Sequence, residues 1–113
     1  MLVVDRAYIS RIEGKDHGLK GLDQILFKSL LQLEEARIKE DKRLVDLVNS
    51  LSEESIHKEI TYKGFETGNT TYTINILLIT LFNHQTHHRG QIHNMLSQAG
   101  VKSPPIDIPN FIE

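Results

Sequence analysis

Cysteine is absent from the 113-residue chain, which removes disulfides, thiolate nucleophiles and cysteine-based zinc sites together and is compatible with a reducing cytoplasm. Long apolar runs are missing as well. No stretch approaches the ~18 to 20 apolar residues of a membrane span, and Met1-Leu2-Val3-Val4-Asp5-Arg6 is too short an apolar run for a signal peptide. Nor does one sign of charge dominate: 13 Lys and Arg against 15 Asp and Glu leave a formal charge of -2. No strong field draws such a chain to phosphate backbones or anionic lipid, so nucleic acid and membrane are excluded as default partners. The expectation is a soluble cytoplasmic protein.

What is present is an ordinary globular balance, 39% hydrophobic and 25% charged residues. The length suits one domain over residues 1–113, burying roughly two thirds of its extended-chain surface. Leu2, Val3, Ala7, Ile9 and Ile12 recur near the helical period, and Gly14 supplies a stop. The apolar periodicity is already under way at Leu2, without a capping residue before it. Lys15 to Gly21 reads as a loop, and Leu22 to Lys28 as a helical turn or packed connector. Ser29 with Gln32 forms a capping box for a helix running to about Leu51. Its apolar stripe is Leu30, Leu33, Leu44, Leu47, Val48 and Leu51, and charges from Glu34 to Arg43 are expected on the solvated side.

Lys58 to Lys63 alternates polar and apolar residues, as does Thr70-Thr71-Tyr72, and Thr67-Gly68-Asn69 supplies turn chemistry between them. This predicts a small β-hairpin. From Thr73, expected as an N-cap, a helix runs over residues 74–99 and stops at Gly100, with Pro104 and Pro105 beyond it. The apolar residues of the tail, from Pro104 to Ile112, predict an extended segment lying against the body.

Four of the six histidines fall between residues 84 and 93. At 100° per residue, Ile74, Leu77, Leu78, Leu81, Ile92, Met95, Leu96 and Ala99 share one stripe, with His88 inside it and His84 at its edge. His87 falls on the polar side and His93 on the back. Imidazoles at i and i+4 can offer two nitrogens to one divalent ion at about 2.0 to 2.1 Å, but a catalytic ion generally takes three protein ligands, so the third must come from elsewhere. The competing reading makes His84 and His88 polar residues hydrogen-bonded to neighbours. Arg89 and Gln91 read either as carboxylate binders beside a metal or as structural partners, Arg89 preferably pairing with an acid on another helix. Gly90 in mid-helix costs about 1 kcal/mol against Ala, most simply offset by close approach of another helix. Tyr62, Phe65 and Tyr72 read as hairpin packing.

The segment Leu81-Phe82-Asn83-His84-Gln85-Thr86-His87-His88-Arg89-Gly90-Gln91-Ile92, followed by Leu96-Ser97-Gln98-Ala99-Gly100, closely resembles the last-helix signature of the DinB family. Val3-Val4-Asp5-Arg6 with Arg11 and Gly14 is similar to the family's second helix, and Pro104-Pro105-Ile106-Asp107-Ile108-Pro109 to its tail. The resemblance implies an all-α, up-down-down-up four-helix bundle, here without its first helix and with the small hairpin before the last helix. It implies a divalent metal, zinc or nickel, held by three histidines. Two of them correspond to His84 and His88, and the third falls just before Met1. His17, His57, an acidic residue or a second subunit would then complete the sphere. A homodimer is expected, with its interface standing in for the absent helix.

The function implied is that of a metal-binding protein related to thiol-dependent S-transferases and metal-dependent hydrolase-like enzymes, activating a water or thiolate against a small electrophile. The alternative is a non-catalytic dimeric remnant with an incomplete metal site. A stress-related binding role rests on family association alone.

Overall fold

A computed structural model describes residues 1–112. The element order is α1 (Leu2–Glu13), α2 (Leu30–Ser50), β1 (Glu59–Gly64), β2 (Gly68–Thr73) and α3 (Ile74–Gln98), with 3-10 turns at Ser55–His57 and Ile108–Phe111. This corrects the expectation of an all-α four-helix bundle. The described residues contain three α-helices and a two-stranded antiparallel sheet of six-residue strands. The sheet forms because β-branched and aromatic residues alternate across the pairing, where a helix would waste their restricted rotamers.

The chain divides into two compact units, Met1–Leu81 and Phe82–Glu113. Unit 1 holds α1, α2, the hairpin and the first eight residues of α3. Its apolar core has two clusters, one of Ile9, Leu44 and Leu81, the other of Ile12, Ile74 and Leu77. Tyr8 and Leu47 pack against both, and Ile60, Tyr62 and Leu51 against the second. Local signals set the ends of α1. Gly14 adopts φ 70°, its N–H reaches the Arg11 carbonyl at 3.2 Å, and the Lys15 N–H reaches that of Ser10 at 2.8 Å. These two bonds satisfy the last carbonyls of α1 in a left-handed cap that favours glycine.

Ser29 caps α2, its hydroxyl accepting from the Gln32 N–H at 3.4 Å. The face that α2 buries differs from the expected stripe. Ala36, Glu40 and Leu44 are buried, whereas Leu30 is 82% exposed and Leu33 and Val48 are partly exposed. Charge is the reason. Arg6 Nε donates to Glu40 Oε2 at 3.2 Å, and Arg43 Nη1 to Glu40 Oε1 at 2.9 Å. Arg43 also donates to Glu13 Oε1 at 2.9 Å and to Ser10 Oγ at 3.0 Å, while Arg37 pairs with the fully buried Asp5. Residues expected on the solvated side of α2 therefore face α1, and charge-assisted bonds satisfy carboxylates that water no longer reaches.

Leu22 to Lys28 forms no helix. Leu22 and Ile25 are exposed, and Lys20 N–H bonds the side chain of Gln24 at 2.8 Å. The hairpin pairs Glu59 with Thr73 through Gly64 with Gly68, leaving Phe65, Glu66 and Thr67 as the loop. Gly68, the first residue of β2, takes φ 69° there, a left-handed conformation that glycine adopts without steric cost. Thr61 and Thr71 face each other through their hydroxyls at 2.8 Å. Thr73, expected as the cap of α3, is the last residue of β2 and stands immediately before α3. Its hydroxyl donates to Asn75 Oδ1, which accepts the Ile76 N–H at 2.9 Å.

Unit 2 contains the rest of α3 and the tail. Gly100, at φ 74°, ends the helix, with its N–H on the Ser97 carbonyl at 3.1 Å and the Val101 N–H on that of Leu96 at 3.0 Å. The stripe expected to point inward is only partly covered. Ile74, Leu77 and Leu81 are buried, but Ile92 and Met95 are 48% and 64% exposed. Ile106, Ile108 and Phe111 of the tail are likewise exposed. No helix among the described residues is long and apolar enough to cross a membrane.

Candidate metal centre on the last helix

One turn of helix separates His84 from His88, so their side chains rise from the same face of α3. Their rings meet edge to face, with centroids 4.4 Å apart and planes at 70°, and their Nε2 atoms lie 3.1 Å apart. Both residues are half-buried. His88 Nδ1 lies 2.7 Å from Gln91 Oε1. An amide oxygen only accepts, so the proton of His88 sits on Nδ1 and the Nε2 lone pair is turned toward His84. Which of the two Nε2 atoms donates across this contact is set by the tautomer of His84.

The other histidines sort differently. His87 is exposed, with its ring centroid 5.2 Å from that of His88. His93 is half-buried, and its backbone carbonyl accepts from the hydroxyls of Ser97 and Ser103, each at 3.0 Å. His17 and His57 belong to unit 1. His17 Nδ1 accepts the Leu19 N–H at 3.0 Å, and its ring lies 5.2 Å from Phe65. Among the described residues no group of three or more His, Cys, Asp or Glu side chains is placed to hold a metal ion.

Arg89 lacks the acidic partner expected for it among the described residues, and its Nη2 donates to Thr86 Oγ1 at 3.1 Å. Close approach of another helix does not explain Gly90 either, since a Cβ built there meets nothing within 4 Å. Gln85, within the last-helix signature but with no role assigned to it from the sequence, is buried to 8% exposure. Arg11, which the sequence marks only as part of the segment similar to the family's second helix, has its guanidinium carbon 4.2 Å from the Tyr62 ring centroid, 5.4 Å from Phe65 and 5.6 Å from Tyr8. That three-ring seat is a cation–π contact built into the hairpin packing. Burial, followed by the Tyr8 phenol, pushes the Tyr62 hydroxyl above its ordinary pKa, although Arg11 pulls it down.

The comparisons agree with one another. The family model described as the DinB family matches residues 1–113. Protein DinB of Bacillus subtilis (strain 168) is 35% identical over 83 residues, which is 66% of this chain and 48% of that protein. The chain thus spans about half the length of this curated relative. No solved structure matches. With a family model covering its full length, this chain belongs to the DinB family.

Proposed function

We propose that the chain is a divalent-metal-binding protein in which His84 and His88 supply two ligands, zinc or nickel being the ion. The observation that carries this reading is the convergence of their Nε2 atoms at 3.1 Å. An ion with bonds of about 2.0 to 2.1 Å holds two nitrogens roughly 3.0 Å apart at a right angle and roughly 3.4 Å apart at a tetrahedral angle. The pair lies between these limits, so little movement separates the hydrogen-bonded arrangement from a ligating one. Gln91 supports the same geometry, because a metal-bound imidazole generally donates its other N–H to an acceptor that fixes the ring.

In this reading, the two histidines bind and orient the ion, Gln91 holds the proton of His88 on Nδ1, and Thr86 steadies Arg89 three residues on. When bound, the ion supplies Lewis acidity that acidifies a water or a low-molecular-weight thiol. The activity we propose is transfer of such a thiol to a small electrophile, or hydrolysis by the corresponding water. We infer a cytoplasmic location from this reading, because small thiols are kept reduced there. The remaining ligand positions fall to solvent, to the thiol or to a second subunit. A homodimer is part of the proposal, supported by exposed Ile92 and Met95 on α3.

A second reading, a non-catalytic dimer binding metal weakly, is favoured by the lack of a three-residue cluster among the described residues. Metal analysis of purified protein after dialysis separates the two. About one zinc or nickel per subunit, lost in His88→Ala, supports the first reading. No retention at micromolar free ion overturns it in favour of the second.

A further inference from the structure

Within unit 2, α3 and the tail enclose a cleft of about 290 Å³ lined by Arg89, Ile92, His93, Leu96, Pro104, Pro105, Ile106 and Phe111. Its walls are apolar, and its polar groups stand together along one edge of α3, Arg89 and His93 being four residues apart. Arg89 also borders a neighbouring cleft that includes Asp107. No ion pair forms between them, since every ion pair among the described residues involves α1, α2 or Lys15. The guanidinium keeps donors beyond the one spent on Thr86 Oγ1.

We propose that this cleft binds a small monocarboxylate with an apolar body, its carboxylate on Arg89 and its hydrocarbon between Ile92, Leu96 and Phe111. Apolar walls alone would accept any greasy molecule, whereas one fixed cation at the edge selects an anion over a neutral or cationic analogue of the same shape. A volume of about 290 Å³ suits an acid of medium chain length or a single-ring aromatic acid. His93, half-buried at the same edge, offers a second hydrogen bond to the carboxylate. The site uses neither histidine of the metal pair and does not rest on the metal-binding reading.

Titrating the 113-residue chain, dialysed against a chelator and then freed of it, with octanoate, octan-1-ol and octylamine tests the proposal by calorimetry. Octanoate should bind at least tenfold more tightly than either analogue. Arg89→Gln should remove that preference while leaving octan-1-ol binding unchanged, and Phe111→Ala should weaken octanoate and octan-1-ol alike. The double variant His84→Ala/His88→Ala should bind octanoate as the wild type does. Equal affinity for octanoate and octan-1-ol, an Arg89→Gln variant that keeps the preference, or loss of octanoate binding in the double histidine variant overturns the proposal. The last outcome would place the acid on the histidine pair.

Discussion

Gln91 Oε1 lies 2.7 Å from His88 Nδ1, on the side of the ring opposite the nitrogen that faces His84. Gln91 therefore decides which nitrogen of His88 carries the proton, and so which one is free to ligate. Gln91→Leu is expected to weaken zinc or nickel binding about 10- to 100-fold with little change in thermal stability. Competition against a chromogenic chelator measures this, and an unchanged affinity would show that the amide does not orient the ring.

Gly90 gives an opposite kind of prediction. A methyl group added there meets nothing within 4 Å, so Gly90→Ala should stabilise a free helix by about 1 kcal/mol. If subunits associate across this face, the same substitution should instead loosen the dimer. Urea denaturation combined with sedimentation equilibrium reads both effects.

Glu13 links stability to acid. Burial pushes its carboxyl up, but hydrogen bonds from Lys15 and Arg43 outweigh that effect and hold it below its ordinary value. A depressed carboxylate contributes stability above its unfolded pKa of about 4.3, and the contribution is lost as pH falls through the lower folded value. Glu13→Gln should thus be less stable than wild type at pH 7. The gap should close toward pH 2 to 3, a trend that thermal melts across this range would reveal.

Ile9 and Leu77 anchor the two core clusters and are essentially inaccessible to solvent. Ile9→Ala and Leu77→Ala should each cost about 2 to 5 kcal/mol, from lost burial plus the cavity left behind. A smaller loss in chemical denaturation would mean that the clusters collapse around the gap.

The features legible in the sequence are those decided within a few residues. The glycine caps at Gly14 and Gly100, the Ser29 cap and the hairpin follow from local backbone preference and alternation. The spacing of His84 and His88 likewise brings their rings together wherever the helix goes. Periodicity shows which face of α3 is apolar but not what covers it, so Ile92 and Met95 carry the same pattern as Leu77 yet stand exposed. The same limit applies to charge. Arg37, Glu40 and Arg43 look like solvated residues until Asp5, Arg6 and Glu13 are placed opposite them. Arg11 finds Tyr62 and Phe65 across some fifty residues of chain, a pairing that single-sequence spacing does not encode. The all-α expectation failed because the hairpin occupies twelve residues in its own right.

The ionic contacts between α1 and α2 act as a key rather than as glue. Slide α1 by one turn and Ile9 would replace Asp5 opposite Arg37, while Ser10 would replace Arg6 opposite Glu40, leaving Arg37 with Asp41 and Glu40 with Arg43 as partners on α2 alone. Such a mismatch costs far more than each matched pair gains, so hydrophobic contact alone could tolerate alignments that the charges forbid. Heating lowers the desolvation penalty of ions, so the cost of a misaligned seam falls and this discrimination should weaken as the temperature rises.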